Sequence, residues 1–272
     1  MSVRPLYTIT KSKKQVPWGW TVGGCLFGMA LIVIFFAPAR WLTEHIAEAS
    51  ANRVQLMAPI GTIWTGSAQL KLAAGQGSTQ NTILPGRVFW KFRPSFRGMV
   101  VSLQAECCLM QDWVWLVSPS LQGIRVDLSD LPQSQPSTWP SALLAGLGTP
   151  WNTLQLQGQL SLSTRQLSLQ WSREGWNMAG QAQLDANHMS TSLSTLKPVG
   201  SYRFTLHGGP TPYLQLSTLE GSLQLHGAGR WINHRLQFEG EASAQADRTD
   251  ALANLLNIIG RRDGARVIIK IG

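Results

Sequence analysis

The residue types that do chemistry are sparse in this 272-residue chain: five histidines, fourteen acids and three cysteines. His226 and His234 flank the turn between Leu225 and Leu236 and could face each other across it. Two imidazoles with no third ligand nearby make a poor metal site, since structural zinc takes four ligands. They read as residues of a polar face. Glu239 and Glu241 share one strand face, opposite Phe238, and read as solvated. There is no Gly-x-Ser-x-Gly elbow, no Cys-x-x-Cys pair and no phosphate-cradling loop. Gly227-Ala228-Gly229 reads as a turn, because no helix follows it to receive a phosphate. The sequence therefore assigns no catalytic, cofactor-binding or metal-ligating residue. A non-enzymatic protein is expected; a hydrolase would rest on scattered polar residues alone.

Cys25 lies in an apolar run, whereas Cys107 and Cys108 are adjacent. As strand neighbours they would face opposite sides, with Cys107 on the apolar face of Val101, Leu103 and Ala105. The spacing reads as two separate thiols, one buried and one exposed. A vicinal disulfide formed in an oxidising compartment is the alternative.

The uncharged run Gln15–Ala39 (QVPWGWTVGGCLFGMALIVIFFAPA) organises everything else. As a helix it would measure roughly 37 Å, enough to cross a hydrocarbon core of ~30 Å. Trp18 and Trp20 sit at its start and Trp41 just past its end, where indoles favour the lipid–water boundary. Arg4, Lys11, Lys13 and Lys14 precede it with no acid among them, while Arg40 is followed by Glu44 and Glu48. That bias predicts a cytoplasmic N-terminus and a body outside the cytoplasm, a single-pass topology. A cleaved signal peptide is the rival, with Ala37-Pro38-Ala39 as its site. The run exceeds the usual apolar length of signal peptides, and Pro38 directly precedes the final alanine, which favours a retained anchor. Gly19, Gly23, Gly24 and Gly28 give two overlapping small-xxx-small spacings, through which a second membrane helix could approach. Glycine is also common in membrane helices without such a partner.

The net charge of +9 is not a nucleic-acid signal. Four of those charges lie in the basic tail, and charged residues make up only 14% of the chain, so the polarity comes from Gln, Ser and Thr. The run Arg87–Arg97 (RVFWKFRPSFR) mixes cations and aromatics. Trp90 and Phe92 share a strand face, however, so the rings read as core, and the cations could lie near anionic headgroups. No nucleic-acid partner is expected; membrane lipid is.

The rest of the chain alternates with period two, the mark of half-buried strands. Ala68, Leu70 and Leu72 share a face, as do Val88, Trp90 and Phe92; Trp113, Trp115 and Val117; and Ile124, Val126 and Leu128. Further sets are Leu154 to Leu162, Leu167 to Trp171, Trp176 to Leu184, Tyr202 to Leu206 and Leu219 to Leu225. Leu219, Leu223, Leu225 and Trp231 are expected to join Leu236, Phe238 and Ala242 on one face of a hairpin. Leu252, Leu255, Leu256 and Ile259 follow helical spacing, with Thr249 or Asp250 to cap the start and Gly260 the end. Arg261-Arg262-Asp263-Gly264 reads as a turn into a last strand, Arg266–Ile271, expected in the sheet interior.

The predicted class is mainly β. A tail (1–14) and a transmembrane helix (15–39) precede a periplasmic antiparallel meander (40–272) with a curved, one-sided, groove-like sheet. Two halves, about 54–129 and 151–272, are joined by a Pro/Ser-rich connector at 130–150. A short C-terminal amphipathic helix and a final strand close the chain.

Several stretches in order carry a resemblance: Gly61-Thr62-Ile63-Trp64-Thr65-Gly66; Trp90 and Pro94 with Gly98 beyond; Leu219–Gly227 leading to Trp231; Phe238–Ala242; and Leu255–Arg262. In this order, with one N-terminal apolar anchor, the chain resembles the type II secretion system protein N family. The resemblance implies a bitopic inner-membrane accessory subunit of the machine that exports folded periplasmic proteins, partnered by the machine's other inner-membrane subunits. It implies no catalytic residues. It also suggests a fold-level likeness to the groove-forming sheets of AsmA-like proteins, and with it an alternative: a periplasmic groove that binds lipid or another hydrophobe.

Overall fold

The computed structural model describes residues 18–73, 81–121, 123–148, 151–173, 175–232, 235–264 and 266–272. The expected tail, residues 15–17 of the apolar run and His234 lie outside these. The chain divides into two units, Met1–Ala37 and Pro38–Gly272.

In the first unit the described residues form helix α1, Trp18–Phe35. It is shorter than the run 15–39, because Pro38 disfavours helical backbone before it and a second helix starts beyond. Its 18 described residues rise ~27 Å. Among the described residues no helix is long and apolar enough to cross a membrane, so the transmembrane helix expected over 15–39 is not found there. Leu26, Phe27, Ile32 and Phe35 are exposed. Gly19, Gly23, Gly24 and Gly28 face open space, with no neighbour against any of them.

The second unit opens with helix α2, Ala39–Ala49, started by Pro38 in extended conformation. One antiparallel sheet follows. Its strands are β1 (Val54–Gly61), β2 (Thr65–Ala73), β3 (Asn81–Ile83), β4 (Val88–Ser95), β5 (Gly98–Ala105), β6 (Trp113–Ser120), β7 (Gly123–Leu128) and β8 (Ser137–Pro140). A 3-10 turn (Ser141–Leu147) and the short helix α3 (Trp151–Leu154) precede β9 (Gln157–Ser172), β10 (Gly175–Ser190), β11 (Gly200–Gly209), β12 (Tyr213–Gly221), β13 (Leu223–Ile232) and β14 (Arg235–Ala244). Helix α4 (Thr249–Ile259), β15 (Arg261–Asp263) and β16 (Arg266–Ile271) end the chain. The order across the sheet is β1-β2-β4-β5-β6-β7-β9-β10-β11-β12-β13-β14-β16-β15, with β3 beside β2 and β8 beside β9.

The meander is as expected, but the two halves are one sheet: β7 pairs directly with β9, Val126 opposite Leu169. The connector is not a bare link either. Strand β9 has sixteen residues and β7 pairs only with its far part, Ser168–Ser172. The near part would leave an open edge, and backbone groups need partners. Ser137–Pro140 supplies them, pairing with Gln159–Leu162, while Leu131 bridges Thr164. Prolines at 132, 136 and 140 punctuate the stretch without keeping its four-residue strand from forming.

One extra residue near Gln166 bulges β9, with Gln166 at φ +48. The bulge reverses the alternation, so Leu160 and Leu162 before it share a face with Leu167 and Leu169 after it.

The apolar face is not an open groove along these stretches; its own chain covers it in three places. Ala39 and Leu42 of α2 pack on Ala68 and Trp90. Leu143 of the connector packs with Leu84, Ala105, Cys108 and Leu109. Leu252, Leu255 and Leu256 of α4 lie against Leu223, Phe238, Ala242 and Val267. Helix α4 has the expected apolar stripe but not the expected caps: Arg248 stands at the N-cap without a side-chain bond, and Gly260 is extended at φ −177.

Because the strands alternate in direction, their connections fall at two ends. At one end lie short turns: 61–65, 95–98, 120–123, 172–175, 209–213 and 232–235. At the other lie most of the long segments: 105–113, 128–157, 190–200 and 244–266, the last two carrying the loop around Val199 and helix α4.

Three further expectations change. Residues 106–108 form a turn beyond β5, so strand parity stops there, and Cys107 is exposed while Cys108 is buried. The two cysteines are joined in a vicinal disulfide rather than standing as separate thiols. The segment Arg261–Asp263 is a short strand rather than a turn, and it pairs only with Arg266–Ile268, so Ile269–Ile271 lie outside its cover.

Candidate functional site

The Gly61–Gly66 motif is the β1–β2 turn, and the indole of Trp90 holds it. Trp90 Nε1 donates to the Thr62 and Ile63 carbonyls at 3.3 and 3.1 Å. Pro38 bridges Thr62, which ties the start of the unit to this turn. Arg87, expected among surface cations, is instead a clamp. Its Nη2 donates to the carbonyls of Ala58 (2.7 Å) and Ser67 (2.9 Å), and its Nε donates to the Ser67 hydroxyl (3.0 Å). Ala58 sits at φ +46, where β1 shifts register against β2, so the guanidinium satisfies carbonyls that the irregular ladder leaves free. Lys91, Arg93 and Arg97 remain exposed.

Polar residues across β9, β10 and β11 form a second group. Asp185 and Arg203 are directly opposed and bonded twice, at 2.8 Å each. The bond to Asp185 raises the Arg203 pKa. Gln183 Nε2 donates to the same carboxylate at 3.0 and 3.1 Å, and its oxygen accepts from Gln133 of the connector at 3.0 Å. Each group satisfies another, which suits a structural network rather than a reaction centre.

His188, Ser201 and Glu220 have the residue types of a nucleophilic triad. Their wiring differs. The Ser201 hydroxyl donates to Glu220 at 3.1 Å and accepts from the backbone N–H of His188 at 3.0 Å, while the imidazole lies 3.9 Å from Glu220. The base and hydroxyl thus lack the contact by which an imidazole activates serine.

The β13–β14 hairpin has the expected register: Leu225 opposes Ala242, and Trp231 opposes Leu236. Leu219 departs from it, lying exposed on β12. Gly227-Ala228-Gly229 is strand, not turn. A Cβ at Gly227 would clash with the Phe238 ring, and one at Gly229 or Gly240 would come within 3.0 or 2.9 Å of it. The glycines therefore make room for a buried aromatic ring. Glu239 and Glu241 are paired rather than simply solvated, with Lys270 at 2.7 Å and Arg266 at 2.9 Å. The hydrogen bond to Lys270 lowers the Glu239 pKa.

A cavity of about 610 Å³ lies at the end of this hairpin, lined by Tyr213, Ile232, Phe238, Lys270 and Ile271. Of its charged lining residues, Arg230, Glu239 and Lys270, the last two are engaged with each other. Among the described residues no group of three or more His, Cys, Asp or Glu could hold a metal. His226 is exposed on β13; its expected facing partner, His234, lies outside the described residues.

Sequence reasoning placed Phe238 in the core but missed the roles of the glycines around its ring, of Arg87 and of the connector. A signal was present for two of them: glycines at 227, 229 and 240 within one alternating stretch, and an arginine next to a strand otherwise read as core.

A family model described as type II secretion system (T2SS), protein N matches residues 52–269. No curated protein and no solved structure matches the chain. The match covers the sheet from just before β1 into β16, and the chain belongs to the type II secretion system protein N family.

Proposed function

We propose that the chain, a type II secretion component by its family, is an inner-membrane accessory subunit that helps assemble or hold the machine and works through surfaces rather than catalysis. The family match over the whole sheet carries this reading. Supporting it, the polar groups that most resemble reactive sites are engaged in structure: Arg87 on carbonyls, Asp185 on Arg203, Ser201 on Glu220. The body is placed in the periplasm with the N-terminus cytoplasmic, on the charge bias around the apolar run, and α1 with its exposed apolar side chains attaches the chain to the membrane. Its partners are the machine's other inner-membrane subunits.

The hydrophobe-binding groove is the lesser reading, since α2, the connector and α4 occupy the apolar face.

Deletion with complementation tests the proposal. Loss of export, restored by the chain in trans, and co-purification with other inner-membrane subunits from solubilised native membranes are expected. Normal export by the deletion strain, with no subunit retained on the purified chain, contradicts it. An alkaline phosphatase fusion after Gly272 should be active; an inactive fusion reverses the orientation.

A further inference from the structure

Three neighbouring hairpins at the short-turn end share one construction. Ser95 opposes Gly98 across Phe96-Arg97, Ser120 opposes Gly123, and Ser172 opposes Gly175. The three glycines stand at φ +141, +147 and +137. The turns lie side by side: Gly98 abuts Val117 and Ser118 of the next hairpin, and Gly123 directly opposes Ser172 of the one after.

The first two apices carry an apolar side chain, and the third is Arg173-Glu174. Phe96 is 112% exposed and Leu121 108%; just below, Ile124 and Trp171 oppose each other across β7 and β9 at 54% and 47%. Tight turns ordinarily take polar residues, so folding gives no reason for a fully exposed Phe and Leu there. Exposed arginines flank them: Arg97 follows Phe96, and Arg173 lies two residues past Trp171. The β4–β5 hairpin carries Lys91, Arg93 and Arg97 and no acid.

These are isolated convex knobs. A protein partner would need a socket for each, whereas acyl chains close around an inserted side chain without one. Indoles and guanidiniums suit the headgroup layer, where the cation meets phosphate and its stem stays in apolar surroundings. The chain also enters this unit at the same end, where Pro38 bridges Thr62. We propose that the three tips dip into the interfacial layer of a phospholipid bilayer, with Phe96, Leu121, Ile124 and Trp171 at the acyl boundary and Arg97 and Arg173 on headgroup phosphates. The inference rests on the membrane-attached reading above.

The test uses the full chain in vesicles of phosphatidylethanolamine and phosphatidylglycerol, with and without lipids carrying a doxyl quencher on the acyl chain. An environment-sensitive fluorophore on native Cys25, which is free and exposed, reports on α1. In a Cys25→Ser background the same fluorophore is placed by Phe96→Cys or Leu121→Cys, and by Ser192→Cys as the aqueous reference at the opposite end. Quenching at 96 and 121 should exceed that at 192 by about twofold or more, as for side chains at the acyl boundary. Quenching at Cys25 with 96 and 121 no different from 192 overturns the proposal and leaves membrane attachment standing. No quenching at any position overturns both. Tip fluorophores shielded from a water-soluble quencher but untouched by the doxyl lipid mean that a protein surface covers the tips, which also overturns it.

Discussion

The two ends of the sheet are built differently. At one end, several long segments fold back over the apolar face and bury Cys108, Leu131, Leu143, Leu252 and Leu256. At the other, turns as short as two residues leave Phe96 and Leu121 fully in solvent. The first end does what a one-sided sheet requires: apolar area is removed from water by whatever chain is at hand. At the second, the start of α2 covers Ala68 and Trp90, yet the neighbouring tips keep apolar side chains bare. The contrast assigns folding to the capped end and encounter with the surroundings to the tips.

Substitutions can break that assignment. The largest effect is expected under the cap. Leu252→Ala or Phe238→Ala should cost about 3–5 kcal/mol, read as a fall in the urea midpoint. A cost near zero at either residue would mean that α4 is not a fixed part of the core. Next, Asp185→Ala should cost about 1–3 kcal/mol, because it strips Arg203 and Gln183 of their acceptor. Cys108→Ser should destabilise more than Cys107→Ser by about 1 kcal/mol or more, since only residue 108 sits among Leu84, Leu109 and Leu143. The opposite order would restore the facing expected from strand parity.

Tyr202 adds a pH dependence. Its phenol is buried, donates to the Leu223 carbonyl at 3.2 Å, and has its pKa raised above the ordinary 10.0 by burial. The stability tied to that raised value is intact below pH 10 and drains away as pH climbs from there toward the folded-state pKa. Tyr202→Phe should cost about 1 kcal/mol at neutral pH from the lost bond and make the alkaline limb shallower. An unchanged alkaline limb would place the sensitivity elsewhere. The smallest effect is expected at the tips: Phe96→Ser with Leu121→Ser should shift stability by less than about 0.5 kcal/mol.

Much of this architecture is written in the alternation of the chain. The β13–β14 register follows directly from the parity of Leu223, Leu225, Phe238 and Ala242, because opposed residues of antiparallel strands share a face. What parity cannot carry is interruption. The bulge at Gln166 reverses alternation through a single backbone torsion, and nothing in Arg165-Gln166 marks it. The turn at 106–108 ends alternation just before the cysteines, which inverts the expected facing. Residues 137–140 pair only because β9 outruns β7, a long-range fact that no local window holds. The glycines at 227 and 229 look like a turn until Phe238 is placed against them. The row of tips was not legible, since their adjacency depends on strand order.

The division between the ends is tested most directly by export in cells whose chromosomal copy carries Phe96→Ser and Leu121→Ser. The protein should accumulate to the unaltered level, while export of the machine's cargo falls toward that of the deletion strain. Full export at normal abundance would show that the tips are dispensable and would contradict the assignment of encounter to that end.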